Sequence, residues 1–250
     1  MSLSKRSIES TSFSMENGAS ILKKSGLPGF REQLFEVLTF CFLIVPGLAF
    51  SFTAGPVVKE NFILGVVGVV LSDLALVTLV WFFLWQNGER LSMIGWISKG
   101  FVKEIIIGVL LFIPMIYVMS SVESWLQSAG LSFPKGHIPS FLRPVGIIQQ
   151  IIATILVIVV AISEETIFRG YLILRFKSVT SSPTAAVVIS SIIFSLGHGY
   201  EGLGGAVTVG FMGAVFALIY LWRKNLVAPV TMHFMQDFIA IVAVSAMANK

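Results

Sequence analysis

Residues 62–85 read FILGVVGVVLSDLALVTLVWFFLW, an apolar run with one formal charge in it, Asp73. Wound as an α-helix, such a run is about 36 Å long, enough to cross the roughly 30 Å hydrocarbon core of a bilayer. A surface helix of a water-soluble domain shows one apolar stripe and one polar face. This stretch has no polar face, so its solvent is lipid. Further apolar segments lie at about 34–52, 105–121, from about 147, 183–196, 206–222 and 226–248. The pattern predicts an all-α fold, a polytopic membrane helix bundle of about seven transmembrane helices, with an eighth possible. It divides into a cytosolic tail at 1–33, N-terminal transmembrane helices at 34–146, and a C-terminal transmembrane core at 147–248 that holds the candidate chemistry.

Composition agrees. Of 250 residues, 56% are hydrophobic and 12% charged, against about 25% charged in soluble domains. The net charge of +4 does not indicate nucleic acid, because the basic residues flank apolar runs. Membrane lipid is the expected partner. Cys41 is the single cysteine, so no intrachain disulfide forms. The first 33 residues lack the apolar core of a cleavable signal and read as a tail, with a turn of helix near 21–24. Arg169 aside, twelve Lys and Arg fall on the N-terminal side of the seven-span topology and four on the other. This puts the N-terminus in the cytosol of a multi-pass protein of the cell membrane. Residues 86–100, with Trp96, are expected along the cytosolic interface, and 123–143, with Pro134 and Pro139, in an external loop. Ala206, Gly210 and Ala214 recur every fourth residue, a small-residue face on which another helix packs closely.

Charge inside a bilayer is costly, about 2.5–3.5 kcal/mol per group on insertion scales, and marks candidate sites. Asp73 is one such group, read as a hydrogen-bonded interior residue or a proton carrier. The fourth segment ends AISEETIFRGYL (161–172). Adjacent residues on a helix point about 100° apart. Glu165 and Arg169, spaced i, i+4, therefore pair on one face, which leaves Glu164 without a local partner. The fifth segment ends FSLGHG (194–199), thirteen positions separate Glu164 from Lys177, and fifteen separate Pro183 from His198. Two antiparallel helices joined between them bring Glu164 and His198 to about the same depth. In the seventh segment His233 and Asp237 share one face.

Two chemistries suit this set. His198, His233 and Glu164 could hold Zn²⁺ or another divalent metal with a water in the open position. Alternatively, a Glu–His pair deprotonates water directly while His233 and Asp237 steady the oxyanion. Both hydrolyse an amide. No HExxH and no GxSxG motif occurs, and Ser163 and Ser195 read as helix hydroxyls bonded to backbone.

The motifs Glu164-Glu165-x-x-x-Arg169, Phe194-x-x-x-His198 and His233-x-x-x-Asp237, with EETIFRGYL and APVTMHFMQD around them, resemble the CAAX protease and bacteriocin-processing (CPBP, or Abi) family. The resemblance covers about 147–248. It implies an intramembrane endopeptidase acting on a membrane-associated, possibly lipidated, protein or peptide. Glu164 and His198 would activate water, His233 and Asp237 would complete the site, and Glu165 and Arg169 would support or position. The family often has Asn where this chain has Asp237, and the extra charge favours metal binding or pairing with Arg169. Two other readings compete: a non-catalytic relative acting in bacteriocin immunity or as a scaffold, and a proton-coupled transporter built on Asp73.

Overall fold

The computed structural model describes residues 28–54, 61–131, 133 and 142–248, of which 46–54 and 248 are described by their backbone alone. The expected turn at 21–24 lies outside them, as do 132 and 134–141 of the expected external loop, whose first residues, 123–128, are instead the end of a helix. The described residues form helices and no strands. We label the helices α1 (Phe30–Ala54), α2 (Phe62–Gln86), α3 (Phe101–Ser128), α4 (Gly146–Thr180), α5 (Pro183–Leu196), α6 (Gly202–Arg223) and α7 (Val227–Met247). Five of them, α2, α3, α4, α6 and α7, are long and apolar enough to cross a membrane. The chain is a multi-pass membrane helix bundle.

The helix ends follow local chemistry. Asn61 caps α2 by accepting from Leu64 N at 3.1 Å, and Ser182 caps α5 by accepting from Ala185 N at 3.2 Å, with Pro183 behind it. The α4–α5 turn is closed by Ser181, whose φ of 55° is left-handed. The outer face of α4 runs Ile148, Ile151, Ile155, Ile158 and Ile162, each 41–71% exposed. An exposed isoleucine stripe at helical spacing inverts the soluble pattern and is what lipid contact requires.

Close approach is built from small residues. A Cβ on Gly108 of α3 would stand 2.7 Å from Ala228 O of α7. The small face of α6 packs on α5: Ser195 Oγ donates to Ala206 O at 2.6 Å, and Gly210 lies against Ser195. Ser195 is thus a backbone-bonded hydroxyl, as the sequence suggested. Residues 86–100 differ from expectation. They do not lie free along an interface but fold inward around a short 3₁₀ turn, Leu91–Ile94, with Ile94 fully buried. Trp96 Nε1 donates to Thr166 Oγ1 at 3.0 Å, and Leu226 N donates to Gly95 O at 3.0 Å. Gly170 allows Ile94 to sit against α4.

A second buried ion cluster centres on Arg175. It is buried at the end of α4, where its Nε donates to Glu36 at 2.8 Å and its Nη1 to Glu89 at 2.8 Å. A second, shorter bond joins Nη2 to Glu89. Tyr171 and Asn87 also donate to Glu36, at 2.9 and 2.6 Å. This cluster ties α1, the α2–α3 connection and α4 together.

Candidate active site

α4 does not keep one helical form. It is α-helical over Gly146–Glu164, π-helical over Glu165–Leu172, and α-helical again over Ile173–Thr180. All eight residues of the π stretch are buried. A π-turn inserts one extra residue into the winding, and such turns recur at functional sites. α7 does the same: its π stretch, Phe238–Ala243, begins directly after Asp237. Both windings change next to a motif carboxylate.

The two adjacent glutamates of α4 are separated as their spacing predicts. Glu165 is fully buried, while the Glu164 side chain keeps 19% of its exposure. Glu165 Oε1 lies 2.8 Å from Arg169 Nη1 and 2.8 Å from His233 Nδ1. A carboxylate oxygen that accepts from a guanidinium is an acceptor toward its second neighbour too, so His233 Nδ1 is assigned as the donor in that contact. That bond fixes the ring. Its other nitrogen, Nε2, then faces Glu164 Oε2 at 3.6 Å and Asp237 Oδ2 at 3.4 Å. Arg169 is held in turn over the Phe194 ring, with its guanidinium carbon 4.0 Å from the centroid, a stacking that suits a buried guanidinium. Gly213 makes room for both: a Cβ there would meet Phe194 and Arg169 at 3.0 and 3.1 Å. Phe194 also stands edge-on to His233, at 6.0 Å between centroids.

Glu164, His198, His233 and Asp237 line one cavity of about 990 Å³. The structure thus brings the three motifs together. His198 sets Nδ1 3.1 Å from Phe194 O. The imidazole that stands at Glu164 is that of His233; among the described residues no hydrogen bond or ion pair joins Glu164 to His198. Asp237 faces His233 and not Arg169, whose counter-charge is Glu165. Asp73 of α2 and Glu201, just before α6, line the cavity as well. Asp73 was visible in the sequence as an intramembrane charge, but its address was not. Glu201 carried a weaker signal, a carboxylate three positions after His198.

The expected metal ligands do not form a cradle as placed. Among the described residues no three His, Cys, Asp or Glu side chains converge to hold a metal ion. His233 has Nδ1 engaged by Glu165 and His198 has Nδ1 against a carbonyl, so each ring offers one nitrogen.

Comparison with curated proteins and with solved structures gave no match. Over residues 147–239, the stretch from α4 to α7 that holds Glu164, His198 and His233, the chain is similar to the family described as type II CAAX prenyl endopeptidase Rce1-like, the resemblance its three motifs carry.

Proposed function

We propose that the chain is an intramembrane endopeptidase that hydrolyses a peptide bond of a membrane-associated protein or peptide, with Glu164 activating the water. One observation carries the reading: Arg169, Glu165 and His233 form a buried relay that ends at Nε2, 3.6 Å from Glu164 on the wall of the cavity.

The steps follow from the geometry. Glu164 takes one proton from water as the water oxygen bonds to the scissile carbonyl carbon, and the carbonyl electron pair moves onto its oxygen. With carboxylates at both of its ring nitrogens, His233 donates from both, and Nε2 turns its proton to the oxyanion. A donor already oriented by the protein is the main way such a site lowers the barrier. The C–N bond then breaks as Glu164 returns the proton to the leaving nitrogen. His198, on the same cavity, holds the water with Glu164. Asp237 steadies the charged His233. Hydrogen bonds of catalytic groups in an empty site are often long and tighten on substrate, so separations of 3.4 and 3.6 Å suit these roles.

The test uses detergent-purified protein, a quenched peptide library with and without a C-terminal lipid, and zinc analysis of the same sample. Glu164→Ala should lose cleavage while its insertion and unfolding stay close to wild type. A fully active Glu164→Ala protein would sink the reading. About one equivalent of zinc, lost in His198→Ala and His233→Ala, would move water activation to a metal.

A further inference from the structure

The cavity runs from the site in one direction. Several contacts set the starts of α1, α3 and α7 and the ends of α2, α4 and α6 on one face, that of the N-terminal tail. Glu36 and Glu89 meet Arg175, Glu104 meets Arg223, and Gly108 lies against Ala228. Among the described residues, none of 28–42, 77–118, 169–193 or 213–232 lines the cavity. Its lining instead reaches Glu123 near the end of α3, Arg143 before α4 and Glu201 before α6, all toward the opposite face. Arg143 is exposed there. Depth alone would favour the near face: His233 stands six positions after Val227, about 9 Å along α7, whereas Glu123 is nineteen positions, about 28 Å, along α3 from Glu104. Packing closes that shorter route. Ile94 and Leu226 are fully buried. A Cβ on Gly170 would stand 2.8 Å from Ile94 O, and one on Gly95 would stand 2.5 Å from the Tyr220 ring. Asn225 Nδ2 donates to Ile97 O at 3.2 Å, beside the bonds from Trp96 and Leu226, so that 86–100 forms a floor under the site.

We propose that the site is served from the non-cytosolic side of the membrane, and that its substrate is an apolar segment of a membrane-anchored polypeptide presented on that side. Naming a substrate rests on the hydrolytic reading, while the direction of access does not depend on turnover. Charge supplies the sidedness. Of the twelve Lys and Arg on the side of the N-terminal tail, Arg175 is buried against two carboxylates, and the remaining eleven against four still make that face cytosolic. The floor therefore faces the cytosol and the cavity leads away from it. Met119, Val157, Val160 and Met212 stand along the wall, which suits an apolar stretch of chain. Gly68 and Ser72 line the cavity from the first half of α2 and are exposed, so the cavity also meets lipid in the half of the bilayer away from the floor. A segment can enter there with its anchor left in the membrane. A soluble tail in the cytosol would first have to unseat Ile94 and Leu226.

Access is read with a small thiosulfonate carrying a quaternary ammonium, on the full chain in sealed membrane vesicles that are either right-side-out or inverted. Cys41, the single cysteine, is first replaced by Ser. Arg143→Cys and Lys177→Cys, both at exposed positions, report which face is outside, and Thr208→Cys, on the cavity wall, reports access to the cavity. Arg143→Cys and Thr208→Cys should react at least about tenfold faster in right-side-out vesicles, and Lys177→Cys in inverted ones, because a fixed charge does not cross the hydrocarbon. Thr208→Cys reacting faster in inverted vesicles, equally in both, or in neither would overturn the proposal. If Thr208→Cys does not accumulate, Met212→Cys on the same wall is read by the same rule. Library peptides that are cleaved in detergent are then given a charged tag and added outside. Right-side-out vesicles should cleave them and inverted ones should not; the reverse would overturn the proposal. Absence of cleavage even in detergent would refute the hydrolytic reading, and the thiol result would still decide the direction of access. Cleavage in detergent with Thr208→Cys reached from the cytosolic side would keep the hydrolytic reading and sink this one.

Discussion

Replacing Glu165 with Gln separates the two duties of that carboxylate. Its Oε1 serves Arg169 and His233 at once, each at 2.8 Å, and no part of the side chain reaches solvent. The substitution leaves the buried Arg169 guanidinium without its ion-pair partner, and breaking a buried pair in this way destabilises by about 3–5 kcal/mol. The amide oxygen still accepts one bond and Phe194 still lies under the guanidinium, so the low end, about 3 kcal/mol, is expected. Activity should fall further than stability. An amide can present N–H to His233 Nδ1, which disfavours the proton there and loosens the ring; a wrong imidazole tautomer in a serine triad lowers kcat by about 10⁴. Unfolding in detergent can be followed by Trp fluorescence, because Trp96 donates to Thr166, the neighbour of Glu165, at 3.0 Å. The double variant Glu165→Gln/Arg169→Met removes both charges and should regain most of the stability and none of the cleavage. An E165Q protein within about 1 kcal/mol of wild-type stability would refute the buried-pair reasoning. Recovery of cleavage in the double variant would refute the relay.

The remaining expectations concern packing and the second ion cluster. Arg175→Met should destabilise by about 3–5 kcal/mol, since Glu36 and Glu89 lose a buried partner; adding Glu36→Gln and Glu89→Gln should restore much of it in the same unfolding assay. Gly108→Ala forces a Cβ to 2.7 Å from a carbonyl of α7 and should cost about 1–3 kcal/mol, whereas Gly68→Ala, with nothing within 4 Å of the new atom, should be neutral or stabilise by up to about 1 kcal/mol. Arg223→Ala removes both hydrogen bonds to the buried Glu104, but Arg223 keeps 21% of its side-chain exposure, so water can partly replace it and the loss of stability should be smaller than that of Arg175→Met in the same assay.

Local periodicity carried much of this structure. The apolar runs mark the helices to within a few residues for α2 and α5, and i, i+4 spacing gave both the Glu165–Arg169 pair and the separation of Glu164 from it. What spacing cannot give is which distant helix supplies the third partner. His233 meets Glu165 across 68 positions, and Asp73 reaches the same cavity from α2, and neither contact leaves a local trace. Charges near the ends of apolar runs also mislead, because hydropathy assigns them to loops. Arg175 and Glu89 stand at such ends and are buried against each other. The inward fold of 86–100 is hidden for the same reason: its polar letters suggest an interface, while Ile94 and Trp96 are placed by α4 and α7.

The π stretch of α4 gives this helix slack in its own length. Eight residues at the wider π winding turn the chain about as far as seven α residues, so removing one residue from 165–172 would let the stretch relax to α and leave the two ends of the helix in phase. Arg175 lies on the far side of that stretch, in contact with Glu36 and Glu89, and Glu164 lies on the near side, at the cavity. A deletion in the regular α-helical turns before it, 146–164, has no such slack and would swing one end of α4 by about 100° against the other. Between the two ion clusters, the eight wide-wound positions are thus the place where α4 can lose a residue and still present both.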